Sequence, residues 1–288
     1  MRHGLTLKIG PAAFRVGSDW RAPIADLRTL YADYPPAPDG FADFTVRLEA
    51  KRPWRRFVRP SVHLGGDYML PDALPLSLAH GLLAAEMGMN LQMALGWRRH
   101  LLIHASAVEK DGRALILTGE SGSGKSTLAA MLGERGWRLL GDEFTLLDLD
   151  SDSVRGFPRL VSLKNAGIAA VEAVADAARF GPRLEATPKG AIRHLVPRAD
   201  AIARMDEPAA PALLLYPRYG FDAATRRLAK SENFMRLTQA STNYVALGER
   251  GFGTLSRFVE SVPALALDYS DGEAGIAEVE RLWTEHVG

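Results

Sequence analysis

A chain of 288 residues, 47% hydrophobic and 24% charged, has enough apolar material for one large folded unit or a larger and a smaller one, and is not a chain too polar to build a core. A formal net charge of +1 argues against bulk nucleic acid as a partner, and the lack of any cysteine rules out disulfides and thiolate metal sites. No apolar run approaches a membrane span, and Met1 to Lys8 lack the apolar segment of a secretory signal, so the expected location is cytoplasmic, with no membrane association.

From Leu5 to Val62 short apolar and polar positions alternate, as in Phe44, Val46 and Leu48 against Thr45, Arg47 and Glu49, with turn material at Pro35 to Gly40. This predicts a β-rich N-terminal portion over residues 1–74, with a short helix from Leu27 to Tyr34. Lys51 to Pro60 is the most basic stretch, with Trp54 and Phe57 interleaved. It reads as a solvated edge strand whose stems lie on the aromatics, with a phosphate or nucleic-acid contact as the alternative. A catalytic unit over residues 75–288 then opens with a predicted helix from Pro75 to Trp97.

A strand at Leu101 to Ile103 leads through His104 to Lys110, and Asp111-Gly112 predicts a hairpin turn into the apolar run Ala114 to Thr118. Directly after it comes Gly119-Glu120-Ser121-Gly122-Ser123-Gly124-Lys125-Ser126-Thr127, the form G-x-x-x-x-G-K-[ST], followed by a helix-favouring segment to Glu134. In that setting the backbone N–H groups of Gly119, Ser121, Gly122, Ser123 and Gly124 would cradle a polyphosphate at the positive end of the helix. Lys125 would reach the β- and γ-phosphates, and Ser126, with Thr127 beside it, would hold Mg²⁺, making ATP the expected nucleotide. The alternative is an ordinary glycine-rich turn.

Trp137 to Gly141 predicts the next strand, carrying Asp142 and Glu143 at its carboxyl end, where phosphoryl transfer needs one carboxylate for the metal and one for the proton of the attacking hydroxyl. The alternative is an acidic turn. His104 enters the same neighbourhood, either to hold the acid or the phosphate or as a satisfied core histidine. Beyond a ribbon at Phe144 to Asp150 lie a helical piece around Ala169 to Arg179, a loop-like stretch from Gly181 to Pro197, a buried strand at Leu213 to Pro217, helices around Phe234 to Leu237 and Leu255 to Val262, and a C-terminal amphipathic helix from Ala274 to His286. Lys189 and Arg193, in the loop-like stretch, would either face the transferring phosphoryl group or be solvated. Ser241 to Tyr244 reads as a helix cap, with an acceptor-lining role as the alternative. Strands and helices mixed around a phosphate loop give the class α/β.

From His104 through the loop to Arg135-Gly136-Trp137-Arg138-Leu139-Leu140-Gly141-Asp142-Glu143 the sequence resembles the catalytic domain of bacterial HPr kinase/phosphorylase, whose pattern is a His, G-x-S-G-x-G-K-S, then R-G-H-R-L-x-x-D-D. Trp137 stands at the family's His and Glu143 at its second Asp. The likeness is closer to HPr-kinase-related proteins that include lasso-peptide kinases, which share the H-A-S and G-S-G-K-S-T wording. The resemblance implies the HPr kinase/phosphoenolpyruvate carboxykinase fold, with Asp142 as the base, Glu143 as a metal-side acid beside Ser126 and Asp142, Lys125 as the phosphate clamp and His104 as the positioning residue. In the segment Ser162 to Ile168, Lys164 takes the family's Arg position and Ser162 replaces its acid, so a carboxylate associated with the reverse, phosphorylase reaction is missing. The implied activity is transfer of the γ-phosphate to a hydroxyl, a serine of a peptide or small protein foremost. The alternatives are a nucleotide-binding regulatory ATPase and a kinase of a small-molecule hydroxyl. The family's hexamers imply self-association.

Overall fold

In the computed structural model residues 2–70 and 73–288 are described; Met1, and Pro71 and Asp72 of the expected N-terminal portion, lie outside the described residues. The chain opens with β1 (His3–Ile9) and β2 (Ala12–Ser18), an antiparallel pair with Ile9 opposite Ala12. Helix α1 (Arg21–Leu30) returns the chain to β3 (Phe44–Ala50), which lies parallel to β2. β4 (Ser61–Gly66) and β5 (Leu76–Ser77) then extend the sheet antiparallel in the order β1-β2-β3-β4-β5. α1 begins six residues ahead of the expected Leu27 because Pro23 sits in its first turn, where a missing N–H breaks no helical hydrogen bond.

The segment expected to be helical from Pro75 instead enters β5 and a 3₁₀ turn at Leu78–His80, and α2 proper runs from Gly81 to Gly96. Its buried Leu82, Ala85, Met89 and Met93 pack with Val46 and Leu48 of the first sheet. The basic stretch is not the expected edge strand: Pro53 opens a 3₁₀ turn at Pro53–Arg56, largely exposed, with Arg52 over the Trp54 ring, 5.1 Å from its centroid.

β6 (His100–Ile103) leads to β7 (Ala105–Lys110) and β8 (Arg113–Thr118), joined as expected by Asp111 and Gly112, both at positive φ (54° and 76°) as a two-residue hairpin turn requires. Next come α3 (Lys125–Glu134), β9 (Arg138–Gly141), β10 (Thr145–Asp148), β11 (Val154–Arg155), β12 (Val161–Lys164) and α4 (Ala166–Glu172). The stretch from Gly181 to Pro197 is not a loop: it is a hairpin, β13 (Phe180–Thr187) and β14 (Gly190–Leu195), pairing with β12 in the order β12-β14-β13. Only Leu184, Ile192, His194 and Leu195 of its larger side chains turn inward, between charged neighbours, so the apolar alternation is too sparse to read from the sequence.

The last third supplies α5 (Ala199–Ala203), β15 (Ala210–Tyr219), β16 (Ala224–Arg227), α6 (Lys230–Ala240), α7 (Tyr244–Ser261), β17 (Ala264–Tyr269) and α8 (Gly272–His286). Ser241 accepts from the Tyr244 N–H at 3.1 Å, so that stretch caps α7. The six-stranded sheet runs β16-β17-β15-β8-β7-β9, with β8, β15 and β17 parallel at its centre. Leu115, Ile116 and Leu117 of β8 are wholly buried because both faces are covered. On one face Leu128 and Leu132 of α3 pack with Ile276 and Trp283 of α8; on the other lie Leu237 of α6 and Phe258 of α7. This is a mixed α/β architecture with the glycine-rich loop Gly119 to Gly124 at the carboxyl end of a central strand. Among the described residues no helix is long and apolar enough to cross a membrane.

Candidate functional site

The loop between β8 and α3 owes its path to three residues at positive φ, Gly119 (135°), Gly122 (84°) and Gly124 (97°). At Gly124 a side chain is also excluded by space, since a Cβ there would lie 2.0 Å from the Tyr269 hydroxyl oxygen. Lys125, the first residue of α3 and nearly buried, folds back so that Nζ donates to the carbonyls of Gly119 (2.9 Å) and Glu120 (2.7 Å). Burial pulls its ammonium below the ordinary lysine range, against the pull of Asp142 and Glu143. The buried Ser123 hydroxyl has no partner.

Asp142 is 1% exposed at the end of β9, next in the sheet to β7. Its Oδ1 accepts from the hydroxyls of Ser126 (2.9 Å) and Ser106 (2.6 Å), and its Oδ2 from the Ser162 N–H (3.1 Å). Glu143 follows at a positive φ of 69°, a strained backbone for a residue with a side chain. Its Oε1 lies 3.5 Å from Lys164 Nζ and its Oε2 3.7 Å from His104 Nδ1. His104 also donates from Nδ1 to the Glu143 carbonyl at 3.0 Å, which fixes the tautomer with its proton on Nδ1 and leaves Nε2 free of it in the neutral ring. Burial pushes the Glu143 carboxyl up, but Lys164 and His104 outweigh it and hold it below the usual carboxylate range.

These groups line one cavity of about 420 Å³. Of the residues singled out in the sequence it gathers Ser121, Gly122, Gly124, Lys125, Ser126 and Thr127 from the loop, Asp142 and Glu143 from β9 and its end, and His104, Lys164 and Lys189 from three other segments. Gly119 and Ser123 stay in the loop behind this wall. Arg193 is not brought there: it donates to Glu172 (2.5 Å) and to the Gly181 carbonyl (2.9 Å) and stacks on Phe180. Sequence reasoning gave no role to Ser106, Tyr219, Tyr269 or the Ser162 N–H. Ser106 was within reach, since in an extended chain it shares a face with His104 two positions earlier. The tyrosines arrive from strands a hundred residues downstream, and no local pattern marks them.

The donor set suits a nucleoside triphosphate with its divalent cation. The start of α3 and the Lys125 ammonium lie on one side of the cavity, and the Ser126–Asp142 pair supplies hard oxygen ligands.

No protein-family model matches the chain, and no curated protein does. Among solved structures the chain is similar to the Hpr(Ser) kinase/phosphatase from Coxiella burnetii, at 14% sequence identity over 64% of this chain and 98% of that one, with a TM-score of 0.27. An overlap of that size carries no weight on function.

Proposed function

We propose that the chain is an ATP- and Mg²⁺-dependent phosphotransferase of the P-loop type, transferring the γ-phosphoryl group to a hydroxyl. The observation that carries this reading is the 2.9 Å hydrogen bond from Ser126 Oγ to Asp142 Oδ1, which joins the hydroxyl after the loop lysine to an acid on a neighbouring strand. That is the pairing by which P-loop enzymes hold Mg²⁺. Ser126 and Asp142 would hold the ion, which when bound offsets charge on the phosphate oxygens.

Lys125 then has a choice of partners: the two loop carbonyls it now meets, or phosphate oxygens, which as anions are the stronger acceptors. The family resemblance implies proton removal by Asp142. Three donors occupy its oxygens, whereas neither oxygen of Glu143 is held by a contact shorter than 3.5 Å. The geometry therefore favours the exchanged division, Asp142 on the metal side and Glu143 as proton acceptor, with His104 and Lys164 keeping Glu143 anionic. The acceptor oxygen forms the new bond to phosphorus, the bond to the β–γ bridging oxygen breaks, ADP leaves with that electron pair, and the hydroxyl proton passes to Glu143.

The test is incubation of the purified chain with γ-labelled ATP, Mg²⁺ and hydroxyl acceptors, peptide and small-molecule. Label transferred to an acceptor supports the reading. Release as free phosphate alone, whatever acceptor is offered, identifies a nucleotide hydrolase and overturns it.

A further inference from the structure

Apart from the larger cavity and a smaller one of about 140 Å³ that shares Asp142, Glu143, Ser162, Lys164 and Lys189 with it, the strongest feature the proposed reaction leaves unused is the turn between β3 and β4. From Ala50 to Gly66 the sequence holds no acid and five cations, Lys51, Arg52, Arg55, Arg56 and Arg59, in a chain whose formal net charge is only +1. Among the described residues none of the five pairs with a carboxylate. The acids at the base of the turn are taken, Glu49 by Arg47 at 3.4 Å and Asp19 by the Ala50 N–H at 3.1 Å, and in α1 Asp26 is offset by Arg21. The turn therefore keeps a surplus of positive charge.

Its apolar side chains face outward as well. Phe57 is 77%, Val58 62% and Trp54 54% exposed. Guanidinium groups lie over both rings, Arg52 at 5.1 Å from the Trp54 centroid and Arg56 at 5.7 Å from that of Phe57, so cations and rings occupy one surface. The turn is held in this shape rather than left loose. Trp20 Nε1 donates to the Arg56 carbonyl at 2.9 Å, the Arg56 guanidinium to the Asp19 carbonyl at 2.7 Å, and the N–H groups of Phe57 and Val58 to the Trp54 carbonyl at 3.0 and 2.9 Å. Arg59 closes it at a positive φ of 46°, a strained backbone for a residue with a side chain.

Apolar groups held out in water beside unpaired cations call for an apolar phase with fixed negative charge at its boundary. A bilayer with anionic headgroups supplies both in one plane, phosphate for the arginines and acyl chains for the rings. Nucleic acid would engage the cations and stack on Trp54 and Phe57, but it offers nothing to Val58.

We infer that the turn from Lys51 to Arg59 is a membrane-surface contact that takes anionic phospholipid, with Trp54, Phe57 and Val58 at the boundary of headgroups and acyl chains and Lys51, Arg52, Arg55 and Arg59 on the lipid phosphates. Such a contact needs no spanning segment, and it does not depend on the phosphotransferase reading.

The full chain is mixed with vesicles of phosphatidylcholine alone and of phosphatidylcholine with phosphatidylserine, and co-sedimentation and tryptophan emission are followed. Binding is expected to the phosphatidylserine vesicles and not to phosphatidylcholine alone, weakening as salt rises from ~0.1 M to ~0.5 M because the charges are screened. Emission should shift to the blue as Trp54 leaves water. Lys51→Glu/Arg52→Glu should lower the partition about twenty-fold or more, at about five-fold for each cation removed. Trp54→Ser/Phe57→Ser, which keeps every cation, should lower it about ten-fold or more and remove the emission shift. All four substituted side chains are exposed, and far-UV circular dichroism checks that both variants keep the fold.

Failure to bind the phosphatidylserine vesicles, or either double variant binding them as the parent does, overturns the assignment. Retention of duplex DNA but not of the vesicles assigns the turn to nucleic acid and overturns it too.

Discussion

The two adjoining cavities are built on different principles. The larger one is lined on its loop side by backbone: glycines at positive φ, N–H groups at a helix start, and a lysine that in this structure donates to main-chain carbonyls. The smaller one is lined by side chains whose charges balance, Glu86, Asp142 and Glu143 against Arg159, Lys164 and Lys189. Backbone donors recognise any polyphosphate, since every residue carries the same N–H; side-chain groups discriminate between ligands, because a partner that fails to meet them leaves a buried group unsatisfied.

Substitution separates the two most sharply at Lys125. Lys125→Ala should abolish turnover and Mg·ATP binding together, because Lys125 lines the larger cavity and not the smaller; calorimetry with Mg·ATP reads this. Retained Mg·ATP binding in the same variant would remove Lys125 from the nucleotide site. Next in size is the pair of acids at the common wall. Glu143→Gln should lower kcat by about a hundred- to ten-thousand-fold with nucleotide affinity retained, whereas Asp142→Asn should first raise the Mg²⁺ concentration needed for activity. If the two variants exchange these phenotypes, Asp142 is the base, as the family resemblance implies.

The smallest effect is one of pH on stability. Burial holds His100 down at about 4 from an ordinary 6.5, and holds His194 below 6.5 as well, although Glu86, Glu143 and Asp142 pull the latter up. At neutral pH His100 is therefore uncharged, and its 3.9 Å approach to Asp148 is no ion pair. Both folded values lie under the unfolded one, so the unfolded chain takes up the protons first. The stability they contribute is complete above about pH 6.5 and is lost as pH falls through that value toward 4, up to about 3 kcal/mol from His100. Urea midpoints between pH 7.5 and 4.5 should fall less steeply in His194→Gln, and an unchanged slope would remove His194 from the account.

How much of this was legible in the sequence follows from the same contrast. Gly119 to Thr127 announces itself because a strained backbone demands glycine at fixed offsets, and Asp111-Gly112 does so for a similar reason. Asp142 and Glu143 were legible as a pair, but their division of labour was not, since it turns on Ser106 and Ser162, which only the sheet brings to Asp142. The second cavity left no trace. Its walls come from positions as far apart as Leu83 and His194, and its strand β14 lay in a stretch that reads as a loop because charged residues separate its inward side chains. Arg193, which shares that strand, reads as a basic residue near phosphate and is in fact held by Glu172 and Phe180.

The wedge of Tyr269 against Gly124 bears on how the protein is made. The Tyr269 hydroxyl also reaches the Ser123 carbonyl, at 3.5 Å, across 146 positions of chain. A ribosome that has released the loop has therefore not yet synthesised the strand that gauges its shape, and β17 must slot in beside β15 before the turn is finished. On the proposed reading, nucleotide competence is in this sense acquired only after β17, far downstream of the loop, has been made.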